Sequence, residues 1–64
     1  MIQYIVDGIN GKDDRVILWR TGEYTYELEI GTGIYKRSVI LSNTEYYDAL
    51  DQFNAAIENY AEVV

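Results

Sequence analysis

Three short breaks govern what residues 2–41 can become. Asn10-Gly11, Gly22-Glu23 and Gly31-Thr32-Gly33 interrupt the sequence with residues that tolerate the positive φ a reversing chain needs. An Asn-Gly pair suits the two central positions of a type I′ hairpin turn, and a leading glycine suits type II′. Between the breaks lie the runs 2–7, 15–21, 24–30 and 34–41, rich in β-branched and aromatic residues, as short strands are. The prediction is an antiparallel meander of three or four strands, the count depending on whether the first strand holds.

Turn length then sets register. A two-residue turn at Gly22-Glu23 places Thr21 opposite Tyr24, Trp19 opposite Tyr26 and Ile17 opposite Leu28. A two-residue turn at Asn10-Gly11 places Tyr4 opposite Ile17 and Ile2 opposite Trp19. Alternation puts all of these on one face, which is the expected core. The third turn leaves two registers open, one pairing Ile30 with Tyr35 and Glu29 with Lys36, the other pairing Glu27 with Arg37.

From Ser42 the period becomes helical. Ser42-Asn43-Thr44-Glu45 has the S-x-x-E form of a capping box, with Leu41 and Tyr46 at the staple positions. Tyr46, Leu50, Phe53, Ile57, Tyr60 and Val64 then mark one helix face. The expected architecture is α+β, with one C-terminal helix packed on one face of the meander and residues 1–64 read as one domain.

The composition excludes several functions. The chain has no Cys and no His, so Ser-His and Cys-His catalysis and histidine- or thiolate-based metal sites are ruled out. Its serines, Ser38 and Ser42, fall in a strand and at the helix start. A glycosidase-type carboxylate pair needs a cleft around a sugar, which a meander with one helix hardly offers. The stretch from Asp7 to Asp14 lacks the spacing of a calcium loop, and no phosphate-binding glycine pattern occurs. The expectation is a protein without catalytic residues, metal or cofactor. Neither a signal sequence nor a membrane span is recognisable, so the chain is read as cytoplasmic and not membrane-bound.

Net charge is −6, from 11 acidic and 5 basic residues, which disfavours direct nucleic-acid binding and favours a basic partner. The imbalance is local. Residues 38–64 contain Glu45, Asp48, Asp51, Glu58 and Glu62 and no base. At about 100° per residue, Tyr47, Asp51, Asn54, Glu58 and Glu62 form one outward strip with Asp48 beside it. Glu58 and Glu62 oppose the helix macrodipole, each by up to ~0.3–1 kcal/mol, and the strip has no i+4 cations to pair with. It is either a solubilising face or a negative surface presented to a partner. Tyr47 falls on it, where an amphipathic ring serves as an anchor. The other tyrosines, Tyr4, Tyr24, Tyr26, Tyr35, Tyr46 and Tyr60, fit core-facing or core-edge positions.

The second feature is the sheet face away from the helix. It is expected to carry Ile5, Val16 and Leu18, with Ile40 or Ile34, beside Arg20, Thr25, Glu27 and Glu29. Such an apolar band suits either scattered surface residues or a homodimer interface built on Ile5, Val16 and Leu18.

Size, acidity, lack of cysteine, the meander and the acidic terminal helix together resemble the small proteins that phages deploy against host enzymes: anti-CRISPR proteins, anti-restriction proteins and uracil-DNA glycosylase inhibitors. The resemblance is one of layout and composition over the whole chain. It implies a DNA-mimicking inhibitor in the host cytoplasm that occupies a basic nucleic-acid channel. Helical carboxylates at i, i+4 and i+7 lie about 6–10 Å apart, comparable with phosphates along a strand. The surface expected to meet the partner comprises Tyr47, Asp48, Asp51, Glu58 and Glu62, with Glu27, Glu29, Asp13 and Asp14 as additions. The alternative is a homo-oligomeric structural module using the apolar sheet face.

Overall fold

The unbroken apolar run Val16-Ile17-Leu18-Trp19 lies near the middle of the molecule. In the computed structural model, which describes residues 2–31 and 33–58, it belongs to strand β2 (Arg15–Arg20). Strands β1 (Gln3–Ile9) and β3 (Tyr26–Ile30) flank it, and β4 (Arg37–Leu41) pairs outside β3. All three pairings are antiparallel. A single helix, α1 (Tyr46–Glu58), packs on one face. The fold is α+β, a four-stranded meander with one C-terminal helix, as the sequence predicts.

The register differs from the expected one, and with it the identity of the faces. Leu18 faces Leu28, Val16 faces Ile30, and Trp19 stands opposite Glu27 rather than Tyr26. The cause is the β2–β3 connection, residues 21–25, in which Thr21 closes on Thr25 around three residues instead of on Tyr24 around two. The backbone N–H groups of Thr21 and Gly22 both donate to the Thr25 carbonyl, at 3.0 and 3.1 Å. The Arg20 guanidinium donates to the carbonyls of Gly22 (3.2 Å) and Glu23 (2.8 Å) and lies 5.7 Å from the Tyr26 ring centroid. A slip of one residue moves every side chain of a strand to the other face. Val16 and Leu18 are therefore fully buried with the helix residues, while Ile17 and Trp19 are only half-buried. This arrangement places aliphatic side chains against the helix and leaves the indole N–H on the side where it reaches a carboxylate, as a half-buried tryptophan requires.

The first hairpin is also longer than a two-residue turn. Asn10 pairs with Asp14 through a 3.0 Å backbone bond, the Asp13 N–H donates to the Asn10 carbonyl at 3.0 Å, and Asp13 takes a φ of 64°. That is the left-handed residue of a three-residue loop. Asn10 precedes the turn and is buried, and its side-chain oxygen accepts from the N–H groups of Lys12 (2.9 Å) and Asp14 (3.0 Å). Further along β1, Tyr4 pairs with Trp19 and Val6 with Leu18, so Ile5 is an extra residue. The resulting bulge resets the alternation. Val6 and Gly8 join the covered face, and Tyr4 and Asp7, three positions apart, share the open one.

The third connection spans 31–36, longer than either expected loop, because Ile30 pairs with Arg37. It includes the 3-10 turn η1 (Gly33–Tyr35), and Gly31 adopts a φ of 97°. A Cβ on Gly31 would lie 3.0 Å from the Tyr35 carbonyl oxygen, so only glycine fits.

The core consists of Val16, Leu18, Tyr26, Leu28 and Ile30 from the sheet and Ala49, Phe53 and Ala56 from the helix, with Ile5, Val6, Val39, Leu41, Leu50 and Ile57 packed around it. The two alanines and Gly8 let the helix approach closely. A Cβ on Gly8 would meet Ile57 Cδ1 at 3.1 Å and the tip of Phe53 at 3.4 Å. The expected capping box does not form. The Glu45 carbonyl accepts the first helical bond from Ala49 (2.9 Å), which makes Glu45 the N-cap. Thr44 instead ties the helix start to the second loop through its N–H and the Tyr24 carbonyl (2.8 Å). Leu41 packs on the core while Tyr46 is exposed. Tyr4, Tyr24 and Tyr35 are likewise exposed, and among the described tyrosines Tyr26 alone is buried. Tyr60 and Val64 lie outside the described residues.

Three substitutions test this packing. Leu18→Lys places a charge in the core of a domain that is stable by only a few kcal/mol and is expected to abolish cooperative urea unfolding. Ile17→Lys, one residue away between Asp7 and Glu29 on the neighbouring strands, is expected to stay within about 1 kcal/mol of wild type. The reverse ranking would show that the other face is buried. Gly8→Val is expected to cost about 1–3 kcal/mol by pushing on Ile57 and Phe53, read from the same urea midpoint.

Candidate functional site

The corrected register removes one expected site. Val16 and Leu18 are buried and Ile5 is packed against the core, so these three residues cannot form an oligomer interface on an uncovered face. Val16 and Leu18 are part of the floor on which α1 sits, and Ile5 packs against the same core.

The remaining candidates fall in three places. The first is the outer face of α1. Ala49, Phe53 and Ala56 are buried and Leu50 and Ile57 are half-buried, so the opposite side of the helix faces water. Tyr47 is 77% exposed, and Asp48, Asp51, Asn54 and Glu58 are exposed with it. The Tyr47 ring is braced edge-on against Tyr46, at 5.4 Å and 76°. The helix has Asp48 in its first turn and no base in its last. Glu62 lies outside the described residues. The second place is the tip of the first hairpin, where Asp13 is exposed and Asp14 half-buried.

The third place is the open face of the sheet, and it holds Glu27 and Glu29. This face looks away from the helix, so the expected partner residues do not form one continuous surface. Its rows can be read from the pairings. Tyr4, Trp19, Glu27 and Ile40 lie side by side across the four strands, and Asp7, Ile17, Glu29 and Ser38 form the next row. Tyr4 packs edge-on against Trp19, with centroids 5.9 Å apart. The Trp19 Nε1–H reaches Glu29 Oε1 at 3.4 Å, and Lys36 Nζ lies 3.4 Å from Glu29 Oε2. At the β1 edge the Tyr4 hydroxyl donates to Asp7 Oδ1 (2.7 Å), and Arg15 donates to Asp7 Oδ2 from Nε (3.2 Å) and Nη2 (2.8 Å). A groove of about 230 Å³, lined by Ile2, Trp19, Glu27 and Glu29, opens on this face.

Tyr4 and Trp19 were not expected here, since both fit a core position when the turns have two residues. The signal for the open face is the run Val16-Ile17-Leu18-Trp19 itself. Both of its alternating sets are apolar, so either can be the buried one.

The Tyr4–Asp7–Arg15 cluster has a pH consequence. The Tyr4 hydroxyl, and then Arg15, hold the Asp7 carboxyl below the usual carboxylate range. The bond to Asp7 in turn raises the Tyr4 phenol above its ordinary value. A carboxyl depressed in the folded state stabilises it above the unfolded pKa, and that contribution disappears as pH falls through the folded one. The raised phenol acts at the other end, where its contribution disappears as pH rises through its folded pKa. The difference in urea midpoint between wild type and Asp7→Asn is expected to be small, constant near neutrality, and to vanish in acid below the carboxylate range. A difference that persists unchanged in acid would mean that the ionised Asp7 contributes nothing.

No helix among the described residues is long and apolar enough to cross a membrane. Comparison with protein-family models, curated proteins and solved structures found no match to this chain, so its functional reading rests on its own residues.

Proposed function

We propose that this chain is a non-enzymatic inhibitor of phage type that presents the outer face of α1 to a basic site on a host nucleic-acid-processing protein. The observation that carries the reading is the exposed strip Tyr47, Asp48, Asp51 and Glu58 on a helix with no base in its last turn. A helix selected for stability alone would place cations near its C-terminal end, where Glu58 costs ~0.3–1 kcal/mol. The three carboxylates run along the axis at about 1.5 Å of rise per residue, a spacing that suits a channel built for phosphates. Such a channel would raise the association rate by steering. Tyr47 supplies a large, braced, amphipathic contact surface at the N-terminal end of the strip. Action in the host cytoplasm follows from this reading.

The test compares wild type with the double reversal Asp51→Lys/Glu58→Lys as bait in bacterial lysate at low and high salt. Wild type is expected to retain a basic nucleic-acid-binding protein at low salt, to release it as screening increases, and to compete with DNA for it. The double reversal is expected to lose at least about tenfold in affinity for that protein. Glu58→Lys alone is expected to raise stability by about 0.3–1 kcal/mol while weakening capture. Undiminished capture by the double reversal would refute the proposal.

A further inference from the structure

On the open face of the sheet, on the side of the molecule away from α1, the ionic groups are almost fully paired within the chain. Asp7 is held by Arg15 and Tyr4, and Glu29 by Lys36 with the Trp19 indole N–H nearby. Glu27 is the exception. It is half-buried, lies opposite Trp19 in the ladder, and its carboxylate has no hydrogen bond or ion pair with any described residue. It lines the same groove as the indole, Glu29 and Ile2.

We infer that this groove is a docking site for an arginine side chain carried by a partner protein, with the guanidinium stacked on Trp19 and bonded to Glu27. Charge complementarity argues for the occupant. A carboxylate that takes no donor from any described residue, on a half-buried side chain, gains most from a donor that is itself charged. Beside it stands an indole, the aromatic group that binds cations best. The guanidinium combines a planar face for stacking with a fork of N–H donors for a carboxylate, and is more weakly hydrated than an ammonium. Lys36 holds Glu29 on its far oxygen, leaving Glu27 as the open acceptor. The volume agrees: about 230 Å³ is below the ~300–1,000 Å³ usual for small-molecule sites and suits one long side chain. Ile2, Tyr4 and Ile40, all more than half exposed, provide an apolar rim for the neighbouring residues of the partner. The site is independent of the helix strip, from which it is separated by the core.

Trp19 is the only tryptophan in the chain, so fluorescence excited at wavelengths beyond tyrosine absorption reports on this groove. The experiment titrates the full chain at low salt with a capped tripeptide bearing a central arginine. The isosteric citrulline peptide, the lysine peptide and free L-arginine serve as comparisons. A saturable change with a millimolar dissociation constant is expected for the arginine peptide. It should be severalfold weaker for lysine and absent for citrulline. In Glu27→Gln, which keeps the side-chain shape and whose fold is checked by circular dichroism, binding is expected to weaken about tenfold. Binding that is equal with citrulline, or undiminished in Glu27→Gln, would overturn the inference, as would no response at all. Tighter binding of free L-arginine than of the capped peptide would assign the groove to a small molecule and also overturn it. A fluorescence change that follows protein concentration instead of peptide would identify a second copy as the occupant and do the same. Asp51→Lys/Glu58→Lys is expected to leave the preference for arginine over citrulline, and its dependence on Glu27, unchanged, which separates the site from the helix strip.

Discussion

The pairing of Leu18 with Leu28 decides which side of the sheet is dry, and most of the remaining structure depends on it. With that pair under the helix, Val16, Tyr26 and Ile30 follow by alternation, and Ala49, Phe53 and Ala56 find a smooth aliphatic surface to close on. Burying each large apolar side chain contributes roughly 1.5–3 kcal/mol, a large share of the net stability available to 64 residues. The register is set by a loop that Arg20 holds from within the sheet, donating to two of its carbonyls while covering Tyr26. An arginine at the margin of the core thus acts through the backbone, and its charge is directed to the loop rather than to a carboxylate.

The bulge at Ile5 does for β1 what the loop does for β2. Without it, strict alternation would send Tyr4 and Asp7 to opposite faces. With it, the tyrosine hydroxyl reaches the carboxylate, Arg15 closes the cluster from β2, and an edge strand is pinned at the point where its pairing shifts. Two adjacent residues, Ile5 and Val6, both pack against the core as a result. The same irregularity therefore thickens the core on one side and organises polar groups on the other.

Much of the fold was legible in the sequence. The glycine-bearing breaks marked all three hairpins, and the period of Leu50, Phe53 and Ile57 marked the covered side of the helix, although Tyr46 of the same series is exposed and Ala49 and Ala56 are the residues buried beside Phe53. The register was not legible, for a specific reason. In Val16-Ile17-Leu18-Trp19 both alternating sets are apolar, so burial cannot choose between them and turn length becomes decisive. Asn10-Gly11 matches a type I′ pair in sequence, yet Asn10 serves better as an acceptor for Lys12 and Asp14, and this needs a longer loop. A one-residue slip exchanges whole faces, so two-residue turns place Tyr4 and Trp19 in the core and Val16 and Leu18 outside, and the longer loops do the reverse. The outward helix strip was legible because it depends only on the helical period and not on any turn. Ser42 is not the cap because the chain makes one more local bond, from Thr44 to the Ser42 carbonyl, before the helix opens at Tyr46 with Glu45 as its N-cap.

The two surfaces that favour cations differ in physical kind. The helix strip is a row of solvated charges, whose attraction for a basic partner under the proposed function would act at a distance, depend on salt and contribute mainly to encounter. The groove beside Trp19 is a short-range site, where a half-buried carboxylate and an indole reward a particular geometry and tolerate salt better. They lie on opposite sides of the core, so a flat partner cannot meet both. A partner that uses both has to enclose the domain, as the walls of a channel do. Otherwise each surface serves a different protein, and the domain acts as a bridge. The enclosing arrangement places the strip and the groove against two facing basic walls, and a domain whose net charge is −6 is electrostatically suited to that position. In the bridging arrangement the strip and the groove have no reason to share a sign, yet both favour cations.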